Sequence, residues 1–178
     1  MKTFYFLVII LFIHNPCSAQ YPAPVARALH QTKNNQTQLK MALDHFYASG
    51  DSLKIRAVNF LVANIPIHTS YNYYWADVSG KKIPFDELKY NSFNDAVDAF
   101  NKLKETHQGI HPVAIRYRDI DSVKAEYLIE NIDLAVEQFR KRNNSATSEQ
   151  DFLEYVLPYR VSVEPLTNWR KTYLEKFA

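Results

Sequence analysis

The sequence predicts a mainly α-helical protein, a single irregular multi-helix domain behind a cleaved signal peptide. Glycine occurs only three times, and Gly50 and Gly109 fall where helical patterns should stop, the usual place for a residue that tolerates left-handed dihedrals. Apolar residues recur at three-and-four spacing along several segments, the period of a helix face. The chain also opens with the order expected of an export leader.

That leader is the first element. Lys2 precedes an unbroken apolar run from Phe4 to Ile13, and His14-Asn15-Pro16 then breaks the helix. Cys17-Ser18-Ala19 supplies the small residues a signal peptidase needs, so cleavage is expected after Ala19, with residues 1–19 as signal peptide and 20–178 as the helical domain. The run is too short to cross a hydrocarbon layer of about 30 Å, and no later segment reaches the necessary length of about 20 residues, so no integral membrane segment is expected in the mature chain. Export to the periplasm or the medium follows. His14-Asn15-Pro16 is a poor lipobox before Cys17, so lipid anchoring is not expected. Because Cys17 is the sole cysteine, the mature domain is expected to lack disulfides, thiolate metal sites and a cysteine nucleophile.

From Gln36 to Ala48, the positions Leu39, Ala42, Leu43 and Phe46 form one helix face, with Gly50 just beyond. Asp51 is placed to cap a second helix running through Leu53, Ala57, Phe60, Leu61 and Ile65. Pro66 should end it, since the residue before proline is pushed out of helical dihedrals. Tyr71 to Pro84 breaks the pattern and reads as an irregular excursion, with room for a short helix. Ser92 should cap an amphipathic helix through Phe93, Ala96, Val97, Phe100, Leu103 and His107, closed by Gly109, and Pro112 to Tyr117 reads as extended. The longest helix is expected from Ser122 to Arg142, about 30 Å at 1.5 Å per residue. Its stripe of Leu128, Ile132, Ala135 and Phe139, widened by Ile129 and Val136, suits a central packing element. Ser148 with Asp151 resembles a capping box opening a short helix to Pro158. A last helix carries Leu166, Trp169, Tyr173 and Phe177, and either closes the fold or leads into a longer chain.

Few residues suggest chemistry. Glu126, Glu130, Asp133 and Glu137 share one face of the longest helix, but that face lies away from the apolar stripe, so it is expected to meet water or a basic segment such as Arg116-Tyr117-Arg118. His107 and His111 have the spacing of a helical metal pair, yet Gly109 between them ends the helix, and His107 is better suited to the helix C-terminus. No catalytic residue, metal site or cofactor is assigned. The crowded rings of Tyr71, Tyr73, Tyr74 and Trp75 are the candidate ligand contact, since flat rings with polar tips serve recognition as well as packing. Asn35-Gln36-Thr37 and Asn143-Asn144-Ser145 fit the glycosylation sequon. Charge is balanced, with 21 basic and 19 acidic residues and no basic stripe, so nucleic acid is not an expected partner.

Several blocks carry a resemblance. Asn34-Asn35-Gln36-Thr37-Gln38-Leu39, the stretch from Asp51 to His68, Glu126-Tyr-Leu-Ile-Glu-Asn-Ile-Asp133, Phe152-Leu-Glu-Tyr-Val-Leu-Pro-Tyr-Arg160 and Glu164-Pro-Leu-Thr-Asn-Trp-Arg170 occur in an order that resembles the opening of exported transglutaminase-like proteins typical of the Bacteroidetes. Leu153 departs from the cysteine expected of those relatives. The resemblance implies a helical region ahead of a papain-like core, whose cysteine, histidine and aspartate triad would lie beyond this chain. No triad residue can be carried over to any position here. The expected role is therefore a non-catalytic accessory domain that braces or gates such a core. The alternative is a free-standing secreted binding module that contacts a glycan or peptide through Tyr71 to Trp75.

Overall fold

A computed structural model describes residues 21–142 and 147–177. The leader and the Asn143-Asn144-Ser145 sequon lie outside the described residues. The described chain is mainly helical and forms one domain, with eight α-helices and a small three-stranded sheet. No helix among the described residues is long and apolar enough to cross a membrane.

Helix α1 (Ala23–Gln31) is not announced by the spacing of the sequence. Proline in its first turn costs it no hydrogen bond there, and Val25, Ala28 and Leu29 are its buried face. Helix α2 (Gln36–Ser49) buries the expected Leu39, Ala42, Leu43 and Phe46, and ends at Gly50, whose φ of 68° is left-handed. Helix α3 (Ser52–Asn64) starts at Asp51, whose Oδ1 accepts from the N–H groups of Leu53 (3.1 Å) and Lys54 (3.3 Å). It stops one residue earlier than expected, because Ile65-Pro66-Ile67 tightens into a 3-10 turn.

The segment read as irregular is a hairpin. Strand β1 (Thr69–Ala76) pairs antiparallel with β2 (Lys82–Ile83), and the sheet order is β2-β1-β3, with β3 spanning His111–Arg118. The turn is built by Asp77, whose Oδ1 accepts from Ser79 N–H at 2.8 Å and Lys81 N–H at 3.0 Å, with Gly80 at φ 81°. An aspartate that bonds its own backbone followed by a positive-φ glycine is a turn chemistry that favours hairpins. The extended reading of Pro112 to Tyr117 holds, with β3 paired to β1 from Thr69↔Arg118 to Ala76↔His111.

Between β2 and β3 runs α4 (Phe93–Thr106), capped by Ser92, whose Oγ accepts from Asp95 N–H at 3.2 Å. The longest helix does not begin at Ser122. A short helix α5 (Asp119–Ser122) ends at Val123, whose ψ of 138° is extended, and α6 (Ala125–Arg142) follows. Ser148 and Asp151 form the expected capping box on α7 (Glu149–Asp151), but the next turn, Phe152–Val156, is π-helical, with Leu157 N–H donating to Phe152 O at 2.8 Å. Helix α8 (Trp169–Phe177) starts after Leu166 rather than at it.

The main core lies among α1, α2, α3 and α6, where Leu39, Leu43, Phe46, Val58, Leu128 and Ile132 are almost wholly enclosed, and Phe152 and Leu157 of the π-turn close one end. Leu153, also buried, belongs to this packing. The sheet and α4 carry a second, smaller cluster outside that core. There Trp75 packs on Phe100 (4.4 Å between ring centroids), Phe100 on Phe85 (5.1 Å), and Ala96 and Ile83 are buried beside them.

Candidate functional site

Alternation along β1 sorts the four candidate rings onto two faces. Tyr71, Tyr73 and Trp75 share one, with Arg116, Ala114 and Pro112 opposite them on β3, while Tyr74 points to the other beside Val113. The rings do not form one surface. Tyr71 stands 5.8 Å from the Arg116 guanidinium, and its N–H donates to Val163 O at 2.8 Å. It lines a small pocket of about 200 Å³ with Ser70, Asn72, Tyr117 and Leu166. Tyr73, Tyr74 and Trp75 instead line a separate groove of about 430 Å³, completed by Lys82, Phe85, Asp86, Lys89 and Tyr90. In that groove the Tyr73 hydroxyl donates to Glu87, a bond that pushes its phenol above the ordinary value. Lys82 Nζ lies 5.4 Å from the centre of the Tyr74 ring, and Phe85 stacks on Tyr90 at 5.7 Å. The Trp75 indole N–H is enclosed and has no hydrogen-bond partner among the described residues, a condition that costs about 1–3 kcal/mol.

The second group of note is a buried polar knot. Asp119 is fully enclosed; its Oδ1 accepts from Ser70 Oγ at 2.7 Å, and its Oδ2 accepts from Tyr159 Oη at 3.0 Å and from Arg160 Nη1. Arg160 also donates to Ser70 Oγ (3.1 Å), to Glu164 O (2.9 Å) and to Ser162 O. His68 stacks near Tyr159 at 5.7 Å, and burial lowers its pKa, with Asp119 opposing and Arg160 reinforcing that effect. Burial and the Asp119 charge push the Tyr159 phenol strongly upward, while burial first of all pushes Tyr127 up to about 12. Both phenols therefore stay protonated donors. A carboxylate whose two oxygens are already committed to a serine, a tyrosine and an arginine is a clamp, not an open acid or base.

The same economy governs the irregular stretch that follows. Tyr127 Oη and Trp169 Nε1 donate to Tyr159 O at 2.7 and 2.9 Å, and Arg170 Nη2 donates to Val156 O at 2.6 Å. Asn131 Nδ2 donates to Leu157 O at 2.8 Å, and its Oδ1 accepts from Arg170 Nε at 3.0 Å. The carbonyls of Val156, Leu157, Pro158 and Tyr159 are thus satisfied by side chains in place of a ladder, as buried backbone requires.

Protein-family models, curated proteins and solved structures yield no match to this chain. The remaining expected features are placed by geometry alone. The carboxylate face of α6 does not meet Arg116 or Arg118: Asp133 pairs with Lys54 (2.8 Å), Glu130 with Lys171 (3.1 Å) and Glu137 with Lys141 (2.6 Å), because α3 and α8, and not β3, flank that face. His107 Nδ1 lies 3.3 Å from Leu103 O at the end of α4, whereas His111 Nδ1 lies 3.1 Å from Gly109 O. Asn35 is 5 % exposed and donates to Ile120 O (3.2 Å) and Val123 O (2.7 Å), so in the folded chain its amide is closed to glycosylation.

The last-helix row of Trp169, Tyr173 and Phe177 borders a third surface, to which the spacing assigned no ligand role. Beside α6 and α8 lies a groove of about 540 Å³ lined by Phe139, Val156, Trp169, Tyr173, Leu174 and Phe177, with Lys141 and Arg142 on its polar side. Tyr173 and Phe177 are 60 % and 70 % exposed and stack on each other at 5.6 Å, and no residue of α8 is buried.

Proposed function

We propose that this chain is the non-catalytic helical domain of an exported transglutaminase-like protein, and that it holds a papain-like core against the α6/α8 groove. The observation that carries the reading is the row of half-open aromatic rings on α8 beside that groove, since contiguous apolar surface of this kind marks an interaction site. Lys141 and Arg142 beside the rings suit a partner face that carries carboxylates, which would steer approach and fix register. The sequence blocks that resemble the family fit this role: Tyr159, Arg160, Trp169 and Arg170 lock the segment that leads into α8, and so set where the groove stands.

The test is calorimetric titration of residues 20–178 with a papain-like core taken from a protein that shares the Glu-Tyr-Val-Leu-Pro-Tyr-Arg block. Binding is expected, and Tyr173→Asp with Phe177→Asp should weaken it at least tenfold, since both substitutions remove aromatic interface anchors. Absence of binding, or binding indifferent to both substitutions, would overturn the proposal.

A further inference from the structure

The groove beside the β1–β2 hairpin has no part in the docking reading and stands on separate observations. Its volume of about 430 Å³ falls within the range of small-ligand clefts, roughly 300–1,000 Å³. Tyr73 and Tyr90 on its walls are 45 % and 38 % exposed, while Phe85 and Trp75 behind them are braced by Phe100. The exposed rings therefore sit on a packed backing. Between them stand Lys82, Asp86 and Lys89: Asp86 Oδ1 accepts from Leu88 N–H at 3.1 Å and its Oδ2 makes a long 3.8 Å ion pair with Lys89, which leaves the two ammonium groups and Asp86 Oδ2 with hydrogen-bonding capacity to spare.

We infer that this groove is a binding site for a short neutral oligosaccharide. The negative face of an aromatic ring attracts the weakly positive C–H faces of a pyranose, and the mixed lysines and aspartate offer both donors and acceptors to its hydroxyls. An extended peptide fits less well. Peptides that add to a sheet need free backbone donors along a strand edge; on this side β1 pairs with β2 at Trp75↔Ile83 and Ala76↔Lys82, and beyond that pairing Tyr73 N–H already donates to Asn72 Oδ1 at 2.8 Å and Tyr71 N–H to Val163 O at 2.8 Å. The signs of Lys82, Lys89 and Asp86 are mixed, so the site has no net preference for a strongly anionic chain. The Trp75 indole N–H, enclosed in the same lining and without a partner among the described residues, is an unused donor directly behind the rings that a sugar would cover.

The chain has two tryptophans, so its indole N–H resonances report on the site directly, with Trp75→Phe assigning them. Cellotetraose, xylotetraose, mannotetraose and chitotetraose, each at millimolar concentration, are the probes, with tetra-alanine as the peptide comparison. The expected result is a saturable shift of the Trp75 resonance by at least one sugar, with Trp169 unmoved. Tyr73→Ala and Tyr90→Ala should each weaken that binding about tenfold, as expected for loss of an aromatic anchor, while Tyr73→Phe, which keeps the ring, should retain it. A silent Trp75 across all four sugars, a response to the peptide alone, or undiminished binding in the Tyr73→Ala, Tyr90→Ala double variant would overturn the proposal. None of these outcomes bears on the papain-like core, which is not in the experiment.

Discussion

Asp119 and His68 show how much of this protein rests on a few enclosed polar atoms. Asp119 joins β1 to the Tyr159-Arg160 segment, and Arg160 bridges to Ser70, 90 residues away in sequence. The Pro-Tyr-Arg block is conspicuous in the sequence, but nothing local says that its arginine meets Asp119, because the pairing exists only once α5 and the π-turn are packed together. His68 offers a readout of that packing. Burial lowers its folded pKa below the ordinary value of about 6.5, so the unfolded chain takes up the proton first. Its contribution to stability is therefore complete above about 6.5 and is lost as pH falls toward the folded value. Urea unfolding followed between about pH 7 and 5 should show stability declining with acid, and His68→Gln should flatten that part of the curve. An unchanged slope in the variant would assign the decline to other groups.

At the scale of elements, the caps were the most legible features, because a cap is a contact within three or four residues. Asp51, Ser92 and Ser148 all act as the sequence suggests. Asp51 also does something that no local pattern could announce: both of its oxygens accept from Arg140, at 2.9 Å each, and so tie the start of α3 to the end of α6. That bond lowers its pKa, burial opposing and the cap N–H groups assisting, so its contribution is present above about pH 4 and is lost as pH falls below. Asp51→Ala should destabilise the fold by about 1–2 kcal/mol, roughly 1 from the cap and up to 1 from the exposed pair. Asp51→Asn, which keeps a capping oxygen, should recover most of the first part; equal losses in the two variants, measured by chemical denaturation, would argue against the cap. Strand β1 was the element most poorly read. Tyr73, Tyr74 and Trp75 are consecutive, so the polar-apolar alternation that marks a strand is hidden when both faces carry rings, and the Asp77 to Gly80 turn was the signal that could have revealed it.

For the molecule as a whole, the consequential feature is that two clusters share the stabilisation. The helices α1, α2, α3 and α6 enclose the larger, while α4 and the hairpin enclose the smaller around Trp75, Phe85 and Phe100. Regions with few buried apolar contacts open first. Phe100→Ala should therefore raise amide exchange in α4 and in the β1–β2 hairpin, while α2, α3 and the middle of α6 keep their protection. Hydrogen exchange read by mass spectrometry would decide the matter, and a uniform rise across both clusters would mean that they unfold as one. Both candidate surfaces lie at the margins of this division, the oligosaccharide groove on the smaller cluster and the aromatic row of α8 beside α6.

The helices α2, α3, α4 and α6, the caps at Asp51, Ser92 and Ser148, and the faces of α2, α3 and α6 that turn inward were determined by the sequence alone, because period and capping are local properties. Beyond the caps, the placement of polar side chains was decided only by tertiary structure. Asp133, Glu130 and Glu137 found lysines on α3, α8 and their own helix in place of the arginines of β3; Asn35 was drawn inside to the carbonyls of Ile120 in α5 and Val123 just after it; and the rings of β1 were divided between two pockets, Tyr71 in one and Tyr73, Tyr74 and Trp75 in the other, by the segments that pack beside each end of the strand. Each of these depends on which distant segment arrives beside a side chain, and a free energy set by long-range neighbours leaves no periodic mark along the chain.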